Sequence, residues 1–457
     1  MNISVHMNKS SKAKSDINLL IDVILILVVI SYQILSYTWI GITINSNCFR
    51  VLIVVCLLRF VYVCVHRTIV DNCTIIFMVL FLASICITIF MQRSEGFFST
   101  VTPYLIDGIF IYFFCIVKCF NDRYFFATLM FVFALISIIT FIGLILYCGN
   151  QALCFCGSEY ATVVNGRITG IYTNANQAAF VNLVACYFAG FLISSCKNRI
   201  LNDIILLGTV FDFVFLAKTD SRSAKVAIIA TIIAFIGFYL YKAAFKMGKK
   251  LLIFIIAGVI AGSACFFAFN LSRGLVDVPR ILSCKESSEQ ISSTPDRGET
   301  DISSGRLEIW MDGVELFLEE PLFGMSHNDI KNHLAQNSRN LIAGDKVERN
   351  MQTHNSYLYI LITTGMVGFF IYFTYWISRI WIMVKNVDKK QDIYLLGCIC
   401  ALFIEAFFLT VVFNQIEFGT TILYLCGGRL LRLNGNYTIH CKIVTRFRHH
   451  ENFSVED

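Results

Sequence analysis

Three arginines lie in polar segments that border long apolar stretches of the chain. Arg167 comes shortly before the sequence GIYTNAN, Arg222 lies within TDSRSAK, and Arg306 begins RLEIW. A guanidinium group presents a fork of donors that matches phosphate oxygens in two-point geometry. The three arginines together therefore favour an anion site of the pyrophosphate type. For each one alone, the alternative is a side chain that reaches lipid headgroups or pairs with an acid such as Asp220.

His354 is the candidate for proton transfer. It follows a polar segment and begins a long apolar stretch, with Asn355 directly after it. A helix N-terminus disfavours a cationic imidazole, so the ring there stays in the neutral form that a general base needs. The alternative is a histidine that caps the helix or hydrogen-bonds the loop. His327 and His333 are weaker candidates, because both lie in the loop without support from a helix.

Four acids fall within or near apolar stretches: Asp22, Asp107, Asp212 and Glu405. Ionisable groups in lipid are costly and often functional. Asp22 and Asp107 fit span ends, whereas Asp212 and Glu405 fit either an ion site or a buried pair with an arginine or a polar group.

Cysteine usage gives little sign of a metal or disulfide framework. Most of the 18 cysteines lie in apolar stretches, where a small hydrophobic role is expected. Cys148, Cys154, Cys156 and Cys284 fall in loops and leave a disulfide open, but the pair Cys154 and Cys156 lacks the second pair of ligands that zinc requires. No Gly-rich phosphate loop followed by Lys-Ser or Lys-Thr is present, which excludes ATP as the energy source.

The elements that must position these residues are membrane helices. Of the 457 residues, 57% are hydrophobic and 15% are charged, which is far more apolar than a soluble domain. Hydropathy predicts about twelve spans, with a smaller number if the short fourth and last ones fail. They are 17–37, 48–65, 73–91, 104–117, 124–147, 176–195, 200–217, 226–243, 250–270, 355–384, 392–413 and 418–430.

Lysine and arginine in alternate short loops predict the orientation. Twelve spans place both termini in the cytoplasm and a large acidic loop, 271–353, on the opposite side. Within this loop, Trp310, Phe317 and Leu318 recur at helical spacing, and Pro321 with Gly324 ends the predicted helix. The net charge of +6 is thus mainly a topology signal, and no basic face for nucleic acid is visible.

Four motifs in order along the chain resemble the O-antigen ligase and O-antigen polymerase superfamily. They are GIYTNAN, SRS around Arg222, RLEIW followed by EPLFG, and His354-Asn355 followed by Gly365 and Gly368. The resemblance covers about residues 160–415. It implies an all-α, polytopic, C-type (GT-C-like) membrane bundle in three parts. These are N-terminal spans in 1–150, a catalytic region in 151–415, and a last span with a basic cytoplasmic tail in 416–457.

The resemblance also implies an activity and roles for single residues. The activity is that of a metal-independent, inverting glycosyltransferase without a cofactor, at the outer face of the bacterial cytoplasmic membrane. Its substrate is a glycan on undecaprenyl pyrophosphate, its acceptor a glycan or lipid, and its protein partners a flippase and a chain-length regulator. Arg222 and Arg306 match the arginines that hold the pyrophosphate, and His354 matches the base. The remaining substrate-binding candidates are Arg167, Asn176, Trp310 and Asn355.

The motifs do not separate a polymerase from a ligase, although the polymerase is slightly favoured. A transporter of lipid-linked oligosaccharides, with Asp212 and Glu405 as ion sites, is the rival from another class. Transporters tend to show repeats and helices broken by Gly or Pro, and the chain has only 4 prolines. A membrane scaffold without catalysis is the third alternative.

Overall fold

The computed structural model is built mainly from long helices. It describes residues 9–42, 46–66, 71–92, 113–118, 120–149, 151–155, 158–164, 166–244, 306–325, 354–387, 389–409 and 417–432. The helices are α1 (Lys9–Ser36), α2 (Trp39–Ile42), α3 (Ser46–His66), α4 (Asn72–Gln92), α5 (Asp122–Cys148), α6 (Ala175–Ser195), α7 (Arg199–Lys218), α8 (Arg222–Ala244), α9 (Arg306–Glu319), α10 (Ser356–Asn386), α11 (Asp392–Glu405) and α12 (Phe418–Arg432). Between α5 and α6, the strands β1 (Leu153–Phe155), β2 (Ser158–Tyr160), β3 (Val163–Val164) and β4 (Arg167–Ile168) pair as two antiparallel hairpins.

Six of the described helices are long and apolar enough to cross a membrane. They contain the segments Ile17–Ser36, Cys73–Met91, Asp122–Cys148, Ala175–Ser195, Arg199–Lys218 and Ser356–Lys385. Six predicted spans are therefore confirmed as membrane-length apolar helices. The predicted span 48–65 contains a shorter apolar helix, Val51–Val63, and helices α8 and α12 lie where spans 226–243 and 418–430 were expected. Span 250–270 and most of 104–117 lie outside the described residues.

The helix predicted at 392–413 is shorter than expected. α11 ends at Glu405, and residues 406–409 turn away from the helix axis. The carbonyls of Ala406 and Leu409 accept hydrogen bonds from the backbone N–H (2.7 Å) and the hydroxyl (2.9 Å) of Ser356. The start of α10 therefore takes up carbonyls that a longer α11 would use for itself.

Apolar side chains cover much of the outer surface of these helices. Phe90 is 83% exposed, Ile200 72% and Leu58 66%. A soluble protein rarely leaves such broad apolar surfaces in water, whereas a membrane helix faces lipid with them. The polytopic helical class expected from the sequence is thereby supported.

One end of the bundle is tied by ion pairs. Asp71 pairs with Lys118 (3.0 Å) and with Arg379 of α10, and Arg429 at the end of α12 pairs with Asp122 (2.5 Å). Burial alone would raise the pKa of Asp71, but Lys118, Arg379 and the backbone N–H of Thr74 hold it well below its usual range. This end is called the charged end.

The opposite end, called the loop end, holds Tyr37, the two hairpins, the α7–α8 turn, the start of α10 and Glu417. Antiparallel packing defines it: α4 contacts Arg379 near its beginning, whereas Thr88 near its other end donates to the carbonyl of Phe323 (2.5 Å). Likewise, α12 begins directly after Glu417, which accepts from Tyr37, and carries Arg429 near its other end, at the charged end. All the described site candidates lie at or beside the loop end.

Two of the acids within the helices, Asp22 and Asp212, have polar partners among the described residues. Asp22 of α1 pairs with Arg59 of α3 at 2.7 Å. Asp212 of α7 accepts from the hydroxyl of Ser137 at 2.7 Å. Glu405 is fully buried at the loop end of α11, and Asp107 lies outside the described residues.

Candidate functional site

Arg167 ties three elements of the loop end together. Its Nε donates to the carbonyl of Thr219 (2.6 Å) in the α7–α8 turn, and a terminal nitrogen donates to Oδ1 of Asn176 (2.7 Å) in the first turn of α6. The side chain is half-buried at the start of β4. The sequence named Arg167 and Asn176 as separate substrate-binding candidates, and the structure brings them into contact. It also shows that this guanidinium fastens protein groups, which the sequence did not indicate.

The turn that Arg167 fastens presents Arg222. Asp220 adopts a left-handed backbone (φ 49°) and pairs with Lys225 (2.7 Å), while the buried hydroxyls of Ser221 and Ser223 lie 3.0 Å apart. These contacts fix the first turn of α8, where Arg222 is the first residue and has an exposed side chain. A helix N-terminus with an arginine beside it favours an anion.

Helix α9 confirms the helical spacing predicted in the polar loop. It begins at Arg306, and the turn 320–323 containing Pro321 follows its end. Trp310 is half-buried against a small apolar cluster that joins α9 to α10, made by Leu316, Met325, Leu358 and Ile362. The indole N–H of Trp310 has no hydrogen-bond partner among the described residues.

A glycine junction joins the segment after α9 to α10. Gly365 breaks the helix with φ 63° and ψ −171°, and Gly324 has φ 73°. A Cβ on Gly365 would lie 2.3 Å from the carbonyl oxygen of Leu322, and one on Gly324 would lie 2.5 Å from the backbone nitrogen of Gly365. Only glycine fits such a close approach of two backbones.

The break in α10 leaves backbone groups that the segment 321–325 then pairs. The N–H of Met325 donates to the carbonyl of Ile362 (2.8 Å), and the N–H groups of Met366 and Val367 donate to the carbonyls of Pro321 (2.9 Å) and Leu322 (3.1 Å). Backbone groups at membrane depth must be paired within the protein. The motif glycines thus attach the loop helix α9 to the helix that follows His354.

His354 is held at the start of α10 in an unusual conformation. Its φ is 47°, in the left-handed region, and it is half-buried. Asn355 is the cap: its Oδ1 accepts from the N–H groups of Tyr357 (3.0 Å) and Leu358 (3.1 Å). The bonds of Ser356 to the end of α11 anchor the next residue. Backbone strain of this kind persists where the surroundings fix it and is frequent at functional sites.

Helix α11 connects the two halves of the site. Ala401 of α11 packs with Ala224 and Ala227 of α8, the helix that begins at Arg222. Five residues after Ala401, the carbonyl of Ala406 receives the N–H of Ser356, beside His354. The loop end therefore gathers the Arg167, Asn176 and Arg222 group with the Trp310, His354 and Asn355 group through one helix.

Sequence reasoning missed one pair at this end. Tyr37, directly after α1, donates a short hydrogen bond to Oε2 of Glu417, directly before α12. Burial raises the pKa of Glu417 to about 7, and the bond from Tyr37 opposes the shift. A lone Glu at the boundary of the last apolar stretch was the only sequence signal, because the partners lie 380 residues apart.

The described residues contain no group of three or more His, Cys, Asp or Glu side chains that could hold a metal ion. Cys148 and Cys154 are not joined in a disulfide, while Cys156 and Cys284 lie outside the described side chains.

Six membrane-length apolar helices, with Arg222 and His354 at one end of the bundle, indicate a polytopic helical membrane protein. Residues 207–373 match a family model described as O-Antigen ligase. The match begins in α7, includes Arg222, Arg306 and His354, and ends in α10. It confirms the resemblance to the O-antigen ligase and polymerase superfamily. No curated protein matches the chain.

Proposed function

We propose that this protein transfers or polymerises a glycan carried on undecaprenyl pyrophosphate, with polymerisation ahead of ligation. The observation that carries the proposal is the family match, which spans Arg222, Arg306 and His354, together with the convergence of Arg222 and His354 on the loop end. The loop end would then face the outside of the bacterial cytoplasmic membrane, with both termini in the cytoplasm.

The proposed reaction needs neither a metal nor a nucleotide. An acceptor hydroxyl attacks the anomeric carbon, a new C–O bond forms with inversion, and the bond from that carbon to the pyrophosphate oxygen breaks. Arg222 and Arg306 stabilise the charge that develops on the leaving pyrophosphate. The hydroxyl proton passes to the neutral imidazole of His354, a step that typically contributes about 10² to 10⁴ in rate.

The remaining candidates serve this reaction by position. Arg167 and Asn176 hold the turn before Arg222, so they act on the donor through that turn. Asn355 fixes the helix start next to His354. Trp310 offers an indole N–H and an aromatic face beside α10, which suits stacking on a sugar ring.

One feature of the fold resembles a transporter, but its hydrogen bonds argue against that alternative. α10 is a membrane helix broken by a glycine, as transporters often have. However, the carbonyl of Ile362 and the N–H groups of Met366 and Val367 at this break all bond the segment 321–325. These backbone groups hold a loop, so they do not present an ion site.

The decisive experiment incubates purified protein with lipid-linked repeat units extracted from source cells that lack this gene. A ladder of products on a gel indicates a polymerase, and a single transfer to an added acceptor indicates a ligase. We expect His354→Asn to lower the rate by about 10² to 10⁴; asparagine tolerates a left-handed backbone, so the fold is kept while the imidazole is removed.

Variants of the arginine complete this test. Arg306→Ala should abolish transfer, and Arg306→Lys should restore little of it, because an ammonium cannot reproduce the two-point fork. Lys390→Ala, exposed at the charged end, is the control and should keep full activity. Unchanged glycan length and attachment in His354→Asn and Arg306→Ala, with normal insertion, would exclude the transferase.

A further inference from the structure

A second polar group lies at the loop end, between α1 and α12 and outside the segment that matches the family model. Its centre is the hydrogen bond from the Tyr37 hydroxyl to the Glu417 carboxylate. Tyr37 is buried, whereas Glu417 is half-buried and lies just before the first turn of α12. The pair therefore lies at the loop end of α1 and α12.

One helical turn deeper, three more polar side chains follow. Gln33, in the last turn of α1, precedes Tyr37 by four positions. Thr420 and Thr421, in the first turn of α12, follow Glu417 by three and four positions. These are the spacings that place helical residues on one face. Gln33 is 1% exposed and both threonines 0%. Among the described residues, neither amide atom of Gln33 nor the hydroxyl of either threonine has a hydrogen-bond partner.

Several of these groups lie together on α1 and α12. Most buried polar atoms find a partner, so an unpartnered group is explained by a bound water, ion or ligand, or by strain. Here, four side-chain polar atoms in succession have no described protein partner, on two helices that are joined by the Tyr37–Glu417 bond. Exposure falls from the half-buried Glu417 to Gln33, so the polar group extends from the loop end into the bundle.

The group is also connected to the site of the proposed reaction. The carbonyl of Tyr37 accepts from the N–H (2.9 Å) and the hydroxyl (3.2 Å) of Thr173. Thr173 precedes Asn174, which caps α6, and Asn176 in the same turn holds Arg167. The GIYTNAN motif therefore has Tyr37 on one side and Arg167 on the other.

We propose that Tyr37, Glu417, Gln33, Thr420 and Thr421 form a subsite that binds the hydroxyl groups of a neutral sugar ring of the glycan. This inference rests on the proposed function. A carboxylate accepts, an amide donates and accepts, and threonine hydroxyls do both, which matches sugar hydroxyls. The five side chains include no cation, and the Glu417 carboxylate would repel pyrophosphate. This subsite therefore binds the glycan, while the arginines bind the pyrophosphate.

The test separates sugar binding from a simple tie between α1 and α12. The variants are Tyr37→Phe, Glu417→Gln and Gln33→Met, and the control is Tyr375→Phe. Tyr375 also joins two helices through its buried hydroxyl, which lies 3.1 Å from that of Thr74, but it does so at the charged end. Each protein is measured for thermal unfolding in detergent, for kcat and KM with the extracted lipid-linked units, and for binding of those units without an acceptor.

We expect Tyr37→Phe and Glu417→Gln to raise KM by about 10-fold or more, because a hydrogen bond to a charged group is lost, while kcat changes by less than about twofold. Gln33→Met should also raise KM. Its unfolding temperature should be no lower than that of wild type, because the substitution removes a buried amide that has no protein partner among the described residues. Tyr375→Phe should leave KM unchanged.

Each other outcome is decisive as well. If the three variants lower only the unfolding temperature and keep the KM of wild type, the pair is a helix tie and the subsite is refuted. If wild type binds the units in a manner that depends on Tyr37 but forms no product, the subsite stands and the transferase falls. If wild type neither binds nor transfers, both fall.

Discussion

At the residue scale, the chemistry of the site depends on how single side chains are held. Sequence types and spacing identified His354 and Asn355, and the structure adds that His354 has a left-handed backbone between a cap and the anchor of Ser356. Backbone strain of this kind costs about 1–3 kcal/mol. A dihedral angle is set by neighbours from distant segments, here the end of α11, so residue types alone could not predict it.

Arg167 also shows that the residue type alone does not determine the role of a side chain. Its residue type predicted a phosphate clamp, but its Nε and a terminal nitrogen fasten Thr219 and Asn176. The spacing to Asn176 was visible in the sequence, whereas the carbonyl of Thr219 belongs to another pair of helices. A guanidinium suits either task, and only the tertiary arrangement decides between them.

Glu417 gives a prediction about pH. Its pKa is raised to about 7, from about 4.3 in an unfolded chain. The folded state therefore holds the proton more tightly, so its contribution to stability is complete below a pH of about 4.5 and is lost as the pH rises to about 7. Glu417→Gln has no carboxyl to ionise and should lack this loss.

The measurement is thermal unfolding in detergent from acidic to neutral pH. The unfolding temperature of wild type minus that of Glu417→Gln should fall between pH values of about 5 and 7 and stay level above about 8. A difference that grows over the same interval would mean that Glu417 ionises more easily in the folded protein, contrary to its burial.

At the element scale, the sequence predicted α9, its end near Pro321 and Gly324, and the start of α10. It did not predict that Gly324 and Gly365 meet. Both glycines were recognised as parts of separate motifs. A contact between the backbones of two elements depends on tertiary packing, which a single sequence does not reveal. The contact explains why these positions carry glycine. At this point, backbone groups of α10 form hydrogen bonds with the segment 321–325 in place of hydrogen bonds within the helix.

Replacing Gly365 by alanine tests this junction. The new Cβ would lie 2.3 Å from the carbonyl oxygen of Leu322 and would require a positive φ. We expect Gly365→Ala to lose most folded protein, or to unfold at least about 2 kcal/mol more easily than wild type. Yield and thermal unfolding in detergent measure the loss.

Gly427→Ala is the matched control, because the nearest atom to its Cβ would be the flexible end of Met383 at 3.0 Å, and Phe114 and Trp376 would lie at ordinary contact distances of 3.5 and 3.7 Å. It should be tolerated. Equal stability of the two variants would show that the approach of 321–325 to α10 contributes little to the fold.

At the scale of the whole molecule, hydropathy predicted the class well and the boundaries less well. Six membrane-length helices agree with it, but α11 stops at Glu405, because its end is used to anchor Ser356. Charge patterning predicted that the ends differ. The lysines and arginines it relied on include Lys118, Arg429 and Lys389, which the structure places near the acids of the charged end.

The orientation of the molecule is open to a direct test. Basic residues collect on the cytoplasmic side of membrane proteins, so the charged end should face the cytoplasm. A reporter that is active only outside the cytoplasm should be active when fused at Ser303 and silent when fused at Lys390. The reverse pattern would show that the topology is inverted. The loop end would then face the cytoplasm, away from the proposed glycan substrates.

The junction of Gly324 with Gly365 has a consequence for diversification. It joins the segment after α9 to α10 through backbone hydrogen bonds, and these do not depend on the neighbouring side chains. We therefore expect residues 271–305 and 326–353 to tolerate exchange, lengthening or shortening while these backbone hydrogen bonds are kept. Chimaeras that keep 306–325 and 354–368 and take the flanking stretches from other chains with the same glycine junction should insert normally.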